Sequence, residues 1–449
     1  MDRTTVASAP ASDKFASNRY TAYVLLLLCF TNAFNLGDRM LIGTLQEPLR
    51  LEFRLSDFQL GLLGGPAFAV LYTILGFPIA KWAERGNRVT IIAVALATWS
   101  TMTALCGAAM SYTQLFAARV GVSIGEAGCA PPAHSLIAEY FPRERRATAM
   151  STYAVGAPLG MMVVSIVGGY IAQHYGWRYA MATFGMAGVL VALLIKLTLH
   201  EPRQLSLHPP VASSMPVAIR TLLAKRAFVH VCLGAAMVSM ASNFLAQYMV
   251  SFLMRSHDLP LANAALVAGV GGAGGAALGT YVSGVIADRW SHHNPVAIAR
   301  VPVIGILIAV VLYWIALSVP VVTVAIPFLL LAPAFQNSYM GQSIAMVQSV
   351  APNNMRATAA AMFIFANSLI GFGLGPPLFG LLSDFFAASG MAQAGIDTAV
   401  CAANPQLDAC ALAQAQGLRW SLLASTLLFF WSVLHFNYAS RFLVRDLAD

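Results

Sequence analysis

Charge is scarce in this chain. Only 10% of its 449 residues are Asp, Glu, Lys or Arg, and 58% are hydrophobic, whereas a soluble domain averages about 25% charged and ~45–50% apolar. So few charges exclude an ordinary soluble enzyme and a disordered protein. Cysteine is scarce too: there are six, with no CxxC and no Cys/His ligand spacing. That excludes a disulfide-rich module and leaves no metal site to expect. Cys29, Cys106, Cys129 and Cys232 lie inside apolar runs and read as small buried hydrophobes. Neither a GxxxxGK[S/T] loop nor a nucleophile–base pair occurs, so no cofactor, no ATP-driven step and no enzyme activity are expected. The net charge of +8 sits in short clusters between apolar runs. It orients a membrane protein rather than marking a nucleic-acid face. Residues 1–19 are polar and mixed in charge, without the layout of a cleavable signal peptide.

Long apolar runs are abundant. Twelve are visible, at 20–43, 58–80, 89–110, 114–140, 147–173, 178–199, 227–254, 261–287, 296–318, 321–349, 357–386 and 418–440. About 20 apolar residues span a bilayer. None of these runs alternates as a barrel strand does, so they must be helices. With the N-terminus placed in the cytoplasm, 19 of the 26 basic residues fall on that side. Five fall on the other, namely Arg50, Arg54, Arg178, Arg255 and Arg419, while Arg39 and Arg119 lie within spans. The asymmetry predicts a multi-pass protein of a plasma or bacterial inner membrane with both termini cytoplasmic.

The expected organisation is a tail (1–19), a six-helix half (20–199), a polar Pro-containing linker (200–226), a second six-helix half (227–440, with an outer loop at 387–417) and a tail (441–449). The halves repeat. Ala80–Arg85 precedes span three as Gly284–Arg289 precedes span nine, and Pro142–Thr148 precedes span five as Pro352–Thr358 precedes span eleven. Two pairs at nearly one offset, in the same order and on the same side, indicate a parallel internal repeat, an arrangement of secondary transporters.

These residues carry a family resemblance. Gly284–Arg289 is similar to the G-x-x-A-D-R signature of the major facilitator superfamily; the first copy departs from it, with Ala80 for the glycine and Glu84 for the aspartate. Within that superfamily Asn35-Leu36-Gly37-Asp38-Arg39, the stretch Arg119–Ala127 with Gly125-Glu126, and Ala133–Pro142 resemble the Spinster group. The resemblance implies an all-α polytopic fold of twelve transmembrane helices in two pseudo-symmetric six-helix halves. It also implies transport of lipid-like molecules such as lysophospholipids or sphingolipids. Asn-x-x-Asp-Arg also occurs in organic-anion:cation symporters, which implies sugar acids or carboxylates instead.

Four ionisable residues stand inside spans: Asp38, Arg39, Arg119 and Glu126. Each costs at least ~2.5–3.5 kcal/mol to insert. Counting along two antiparallel spans places Asp38 and Arg119 each about five residues from the outer end, ~7 Å deep, so they are at matching depth for an ion pair. Glu126 lies two turns beyond Arg119 on the same face, among Gly121, Gly125 and Gly128 and with no charged partner one turn away. A carboxyl in so dry a setting can take up and release a proton. Asp38 and Glu126 are therefore the expected proton-coupling residues. Arg119 is expected to hold an anionic headgroup by its fork geometry, with Arg39 and His134 beside it.

The second half offers only neutral cavity candidates, among them Asn243, Gln247, Asn337 and Asn367. A cavity charged on one wall and neutral on the other suits an amphipathic anion carried with protons by a monomer in the lipid bilayer. Glu84, Arg85, Arg88, Asp288 and Arg289, joined by Arg146 and Arg356, are the expected inner gate, exposed when the inner side is open. Gly156-Ala-Pro158-Leu-Gly160 in span five and Gly371–Gly380 in span eleven resemble bending elements. Cys401 and Cys410, with eight residues between them in the outer loop, are a disulfide candidate in an oxidising exterior.

Overall fold

A computed structural model describes residues 18–202, 215–291, 296–352, 355–404 and 407–447. The expected N-terminal tail up to residue 17 and most of the linker (203–214) lie outside the described residues. Every described regular element is helical: α1 (Asn18–Thr44), α2 (Gln46–Phe53), α3 (Asp57–Gly64), α4 (Pro66–Arg85), α5 (Arg88–Gly107), α6 (Tyr112–Glu126), α7 (Ala130–Tyr140), α8 (Arg143–Tyr175), α9 (Trp177–Thr198) and α10 (Met215–Ala224) in the first part. There follow α11 (Arg226–His257), α12 (Leu261–Ala268), α13 (Ala276–Ser291), α14 (Ala297–Ser318), α15 (Val322–Gln336), α16 (Met340–Val350), α17 (Arg356–Ala366), α18 (Gly375–Gln393), α19 (Thr398–Ala403), α20 (Asp408–Ser425) and α21 (Leu427–Asp446).

Ten of the crossings are long and apolar enough to span a membrane without a full break. The other two are helix pairs. Span two turns at Gly65, between α3 and α4, and span four breaks between α6 and α7, just after Glu126 and just before Pro131-Pro132. Proline lacks the N–H that a continuous helix needs, and the break leaves Glu126 at a helix end.

Spans eight and eleven each contain a π-helical stretch, Gly269–Gly275 and Asn367–Leu374. The second stands immediately before Pro376-Pro377, where sequence suggested a bending element. Span five differs: α8 runs unbroken through Pro158. A Cβ at Gly156 or Gly160 would collide with the carbonyl of Cys29 or Ala33. The glycines there bring spans one and five into close contact rather than bending either.

Spans eleven and twelve run further than their apolar stretches, to Gln393 and from Asp408. The connection between them is therefore shorter than the 31 residues expected, because polar residues continue a helix into water as well as apolar ones do. Within it α19 is tied to α20 by the Cys401–Cys410 disulfide. The linker carries the short helix α10, which buries Ala218 and Leu222. Its sequence looked merely polar because two apolar residues one turn apart suffice to seat ten residues.

Candidate functional site

Spans one and four supply the centre. Asp38 and Arg119 form an ion pair at 2.7 Å, both almost fully buried, and Thr103 of α5 donates a further bond to Asp38 at 2.5 Å. The next residue, Arg39, leaves α1 about 100° away. Its Nε bonds Glu126 Oε2 at 2.8 Å, and a guanidinium nitrogen reaches Asn35 Oδ1 at 3.3 Å. Two adjacent residues of one helix thus engage two residues of another with opposite polarity, acid to base and base to acid. The quartet is neutral as a whole, which is the condition for keeping four charges in a low-dielectric interior.

The two pairs differ in access. Arg119 keeps only 2% of its side-chain exposure, behind the helix wall, whereas Arg39 keeps 16%. Arg39 lies 4.7 Å from the Tyr72 ring on span two and 5.9 Å from the Phe372 ring on span eleven. It therefore stands where the two halves face each other. Sequence had assigned the substrate-facing cation to Arg119; packing turns Arg119 inward because it pairs with Asp38, which Thr103 in turn holds. Glu126, with no charged partner one turn away on its own helix, finds one in Arg39 of span one, and Glu126 keeps one oxygen out of that pair. Its Oε1 is buried without a hydrogen bond, as are Asn35 Nδ2 and Arg119 Nε.

His134 is exposed and edge-on to Tyr153 at 5.2 Å. On the second-half wall Asn243 bonds back to Ser239 of its own helix at 2.7 Å, Asn337 does the same to Pro333 at 2.9 Å, and Asn367 Oδ1 is buried without a partner at the start of the π-helical stretch. Gln247 belongs to a different region: its amide bonds the Leu60 carbonyl across the halves at 3.2 Å and fills the space beside Gly64.

That region is a seal at the end remote from the chain termini, the outer end in the expected orientation. Arg255 of α11 grips Asp57 with both guanidinium nitrogens, at 2.8 and 3.0 Å, and Glu47 with Nε at 2.7 Å. Arg50 adds a second bond to Glu47 at 2.6 Å and reaches Gln414 of α20 at 2.7 Å. Asp384 of α18 accepts the N–H groups of Asp57 and Phe58, each at 2.9 Å, at the start of α3, where the helix dipole favours a carboxylate. Tyr248 donates to the Asp57 carbonyl. At Gly61 and Gly380 a Cβ would strike the backbone of Pro376 and Asp57, so only glycine allows this approach. Sequence reasoning missed Glu47, Asp57 and Asp384 and counted Arg255 only among the basic residues of the outer side. The available signal was three acids on three different helices facing a basic residue near the end of a fourth.

Burial alone would raise the Glu47 carboxyl, but Arg255 and Arg50 outweigh it and hold it below the ordinary value of 4.5. A carboxylate depressed in this way stabilises fully above its ordinary value and loses that contribution only as pH falls through the lower one. Lowering pH from 7 to 5 is therefore expected to leave the Glu47 part of the seal intact. Labelling of a cysteine placed at Ser56, taken relative to a fully exposed cysteine at the same pH because only the thiolate reacts, should be equally slow at both pH values, and a higher relative rate at pH 5 would refute this.

The inner-gate candidates do not act as a group here. Asp288, Arg289 and Arg356 are exposed, and none is in an ion pair among the described residues. Arg146 bonds the Ala138 carbonyl at 2.6 Å within its own half. The side chains of Glu84 and Arg85 lie outside the described part. Arg88 contradicts its expectation. It is fully buried, not exposed, and bonds Glu139, Glu201 and Ser135 of its own half. Two carboxylates converge on it from the end of span four and the start of the linker, which makes it a clamp within the first half. The outer end is thus sealed, while Asp288, Arg289 and Arg356 at the inner end are exposed.

A family model described as Major Facilitator Superfamily matches residues 28–376. An MFS-type efflux pump of Mycolicibacterium smegmatis is 33% identical over 80% of this chain and 83% of its own length. Protein spinster homolog 1 of Xenopus tropicalis is 26% identical over 82% of this chain and 74% of its own. A crystal structure of a bacterial homolog to the human lysosomal transporter Spinster, inward-facing and unoccupied, superposes with a TM-score of 0.88 at 33% identity, covering 97% of this chain and all of that one.

Proposed function

Since this chain belongs to the Major Facilitator Superfamily and resembles its Spinster members, we propose that it is a proton-coupled secondary transporter of an amphipathic anion, a lysophospholipid or sphingolipid-like molecule, in a plasma or bacterial inner membrane. The observation that carries this reading is the Arg39–Glu126 pair at the junction of the halves. Glu126 occupies the cation that an anionic headgroup would need. A proton on Glu126 ends that ion pair and lets Arg39 exchange Glu126 for the headgroup; loss of the proton draws Arg39 back and expels it. Proton and substrate are linked through one guanidinium, which is what coupling requires. Asp38 and Arg119 lock the neighbouring turn, so Arg39 moves against a fixed frame. Alternating access follows if the outer seal opens as the inner ends close and pair the charges of Asp288, Arg289, Arg356 and their first-half counterparts.

Charge stands on one wall only, and this favours an amphipathic substrate over a compact one. Opposite Arg39 the second half presents Phe372, and its further cavity candidates Asn243 and Asn367 are neutral, which suits a chain. Purified protein in liposomes with a pH gradient tests the reading, with lysolipids and sugar acids offered side by side. Saturable, gradient-dependent lysolipid movement is expected. Movement of sugar acids alone would replace it with the organic-anion reading. Adding bulk to the neutral wall with Asn243→Trp is expected to slow long-chain substrates several-fold more than short ones. Equal slowing of both would place the chain elsewhere.

A further inference from the structure

A second constellation of cations lies on the outside of the molecule, away from the transport path, where α11 begins and α21 ends. Arg226 and Arg445 come from these two helices, and each guanidinium lies over the ring of Phe442, at 5.4 and 5.5 Å. Arg441 lies over Tyr438 at 5.4 Å. Charges that serve only to anchor a helix extend into water and stay apart. Here like charges from separate helices are gathered on one ring, which is costly unless an anion shares them.

Among the described residues the carboxylate beside them is Asp446. Its Oδ2 accepts the Ala227 N–H at 2.8 Å, and its Oδ1 is 3.6 Å from Arg445 Nε. Lys225 also points here, to the Asp446 carbonyl at 3.0 Å. Among the described residues the cluster retains an excess of positive charge.

The scaffold under it is fixed. Trp431 Nε1 donates to His435 Nε2 at 2.9 Å, His435 Nδ1 meets His230 Nδ1 at 2.9 Å, and the His230 ring is nearly parallel to Phe442. This chain of side chains ties α11 to α21 beneath the arginines.

The face also has an apolar end. Leu427, Trp431, Leu434 and Tyr438 follow one another at helical spacing, all exposed, and Arg441 and Arg445 continue the same stripe toward the chain terminus. One helical stripe therefore runs from membrane depth to headgroup level and turns from apolar to cationic there. A phospholipid has the same profile, and basic sites at the ends of transmembrane helices hold anionic headgroups.

We propose that this face binds an anionic phospholipid of the surrounding bilayer, its phosphate between Arg226 and Arg445 and its chains along the Trp431–Tyr438 stripe. The site is separate from the Arg39–Glu126 centre and does not depend on what that centre transports.

The test uses the full chain in mild detergent, titrated with phosphatidylglycerol, phosphatidylcholine or sn-glycerol 3-phosphate, with bound lipid counted by native mass spectrometry. Phosphatidylglycerol should bind more tightly than phosphatidylcholine. Arg226→Gln combined with Arg445→Gln should raise the phosphatidylglycerol concentration needed for half-occupancy at least about tenfold, since each arginine near such a surface contributes about 1 kcal/mol. Arg300→Gln, on the exposed end of α14, should not change it. Should the double variant be poorly folded, Arg441→Gln alone should give a smaller shift in the same direction. Equal affinity for the two lipids, unchanged phosphatidylglycerol binding in the substituted proteins, or competition by glycerol 3-phosphate as strong as by the lipid would each overturn the proposal.

Discussion

Glu126→Gln is expected to abolish uptake driven by a pH gradient while exchange of substrate down its own gradient continues. Glutamine keeps the size of the protonated acid and cannot release a proton, so the variant is held permanently in the state in which Arg39 has lost its ion pair with residue 126. In the native protein Arg39 Nε bonds Glu126 Oε2 at 2.8 Å, and Oε1 is buried without a partner, available to a proton without disturbing another bond. Loss of one member of a buried ion pair costs about 3–5 kcal/mol when the other is left uncompensated. Arg39 is better placed than that, because Tyr72 and Phe372 lie on either side of it and Asn35 accepts from it. The variant should therefore fold and reach the membrane, and Glu126→Asp, which keeps the proton but shortens the reach to Arg39, should retain partial coupling. Proteoliposomes with and without a pH gradient separate the outcomes. Full gradient-driven uptake by Glu126→Gln would remove Glu126 from the coupling step.

Half of this centre was legible in the sequence. Asp38 and Arg119 could be matched because residue counting gives depth along antiparallel helices, and depth alone decided that pair. Arg39 and Glu126 could not, since Glu126 lies two turns deeper than Arg119 and only the length of an arginine side chain closes the gap. Direction mattered as well: Arg39 could extend toward either membrane surface or into the protein, and the choice is made by Tyr72 and Phe372, on spans two and eleven. The Arg88 clamp was hidden for a similar reason. Its partners Glu139 and Glu201 are 51 and 113 residues away and each resembled an ordinary charge at a membrane surface.

The twelve crossings and the two halves were readable from hydropathy and repetition because the bilayer imposes helix on every long apolar run. The breaks within them are set by packing between the halves. Gly65 gave no more sign than the many glycines around it, and its neighbour across the interface is the Phe372 carbonyl of span eleven. The outer seal was the largest omission. Glu47 and Asp57 occur in polar stretches, where a charge is normally solvated, and Asp384 stands near the end of an apolar run. Only the approach of α3 to α18, allowed by Gly61 and Gly380, takes them out of water.

Arg255→Ala is expected to shift the molecule from the outer-sealed state toward an outer-open one, with at least a tenfold loss of transport. Arg255 carries three of the bonds in the seal, two to Asp57 and one to Glu47, and its side chain is 6% exposed. Without it two carboxylates remain buried at the junction of the halves. Arg50 still serves Glu47, and Ser383 still donates to Asp57 at 2.6 Å, but neither neutralises Asp57. Opening the outer end hydrates that charge, so the penalty of about 3–5 kcal/mol for an uncompensated buried partner falls on the sealed state and is relieved in the open one. At 1.4 kcal/mol per tenfold, even the lower figure exceeds a hundredfold change in the ratio of the two states. Spin labels at Leu51 and Leu412, exposed positions on the two halves, report the separation of the outer ends. The variant should populate a longer distance that the native protein reaches rarely. Asp57→Asn combined with Arg255→Ala should return part of the population to the shorter distance, because it removes the charge that made the seal costly. A distance distribution unchanged by Arg255→Ala would mean that the glycine contacts at Gly61 and Gly380 close the outer end without the ion pairs.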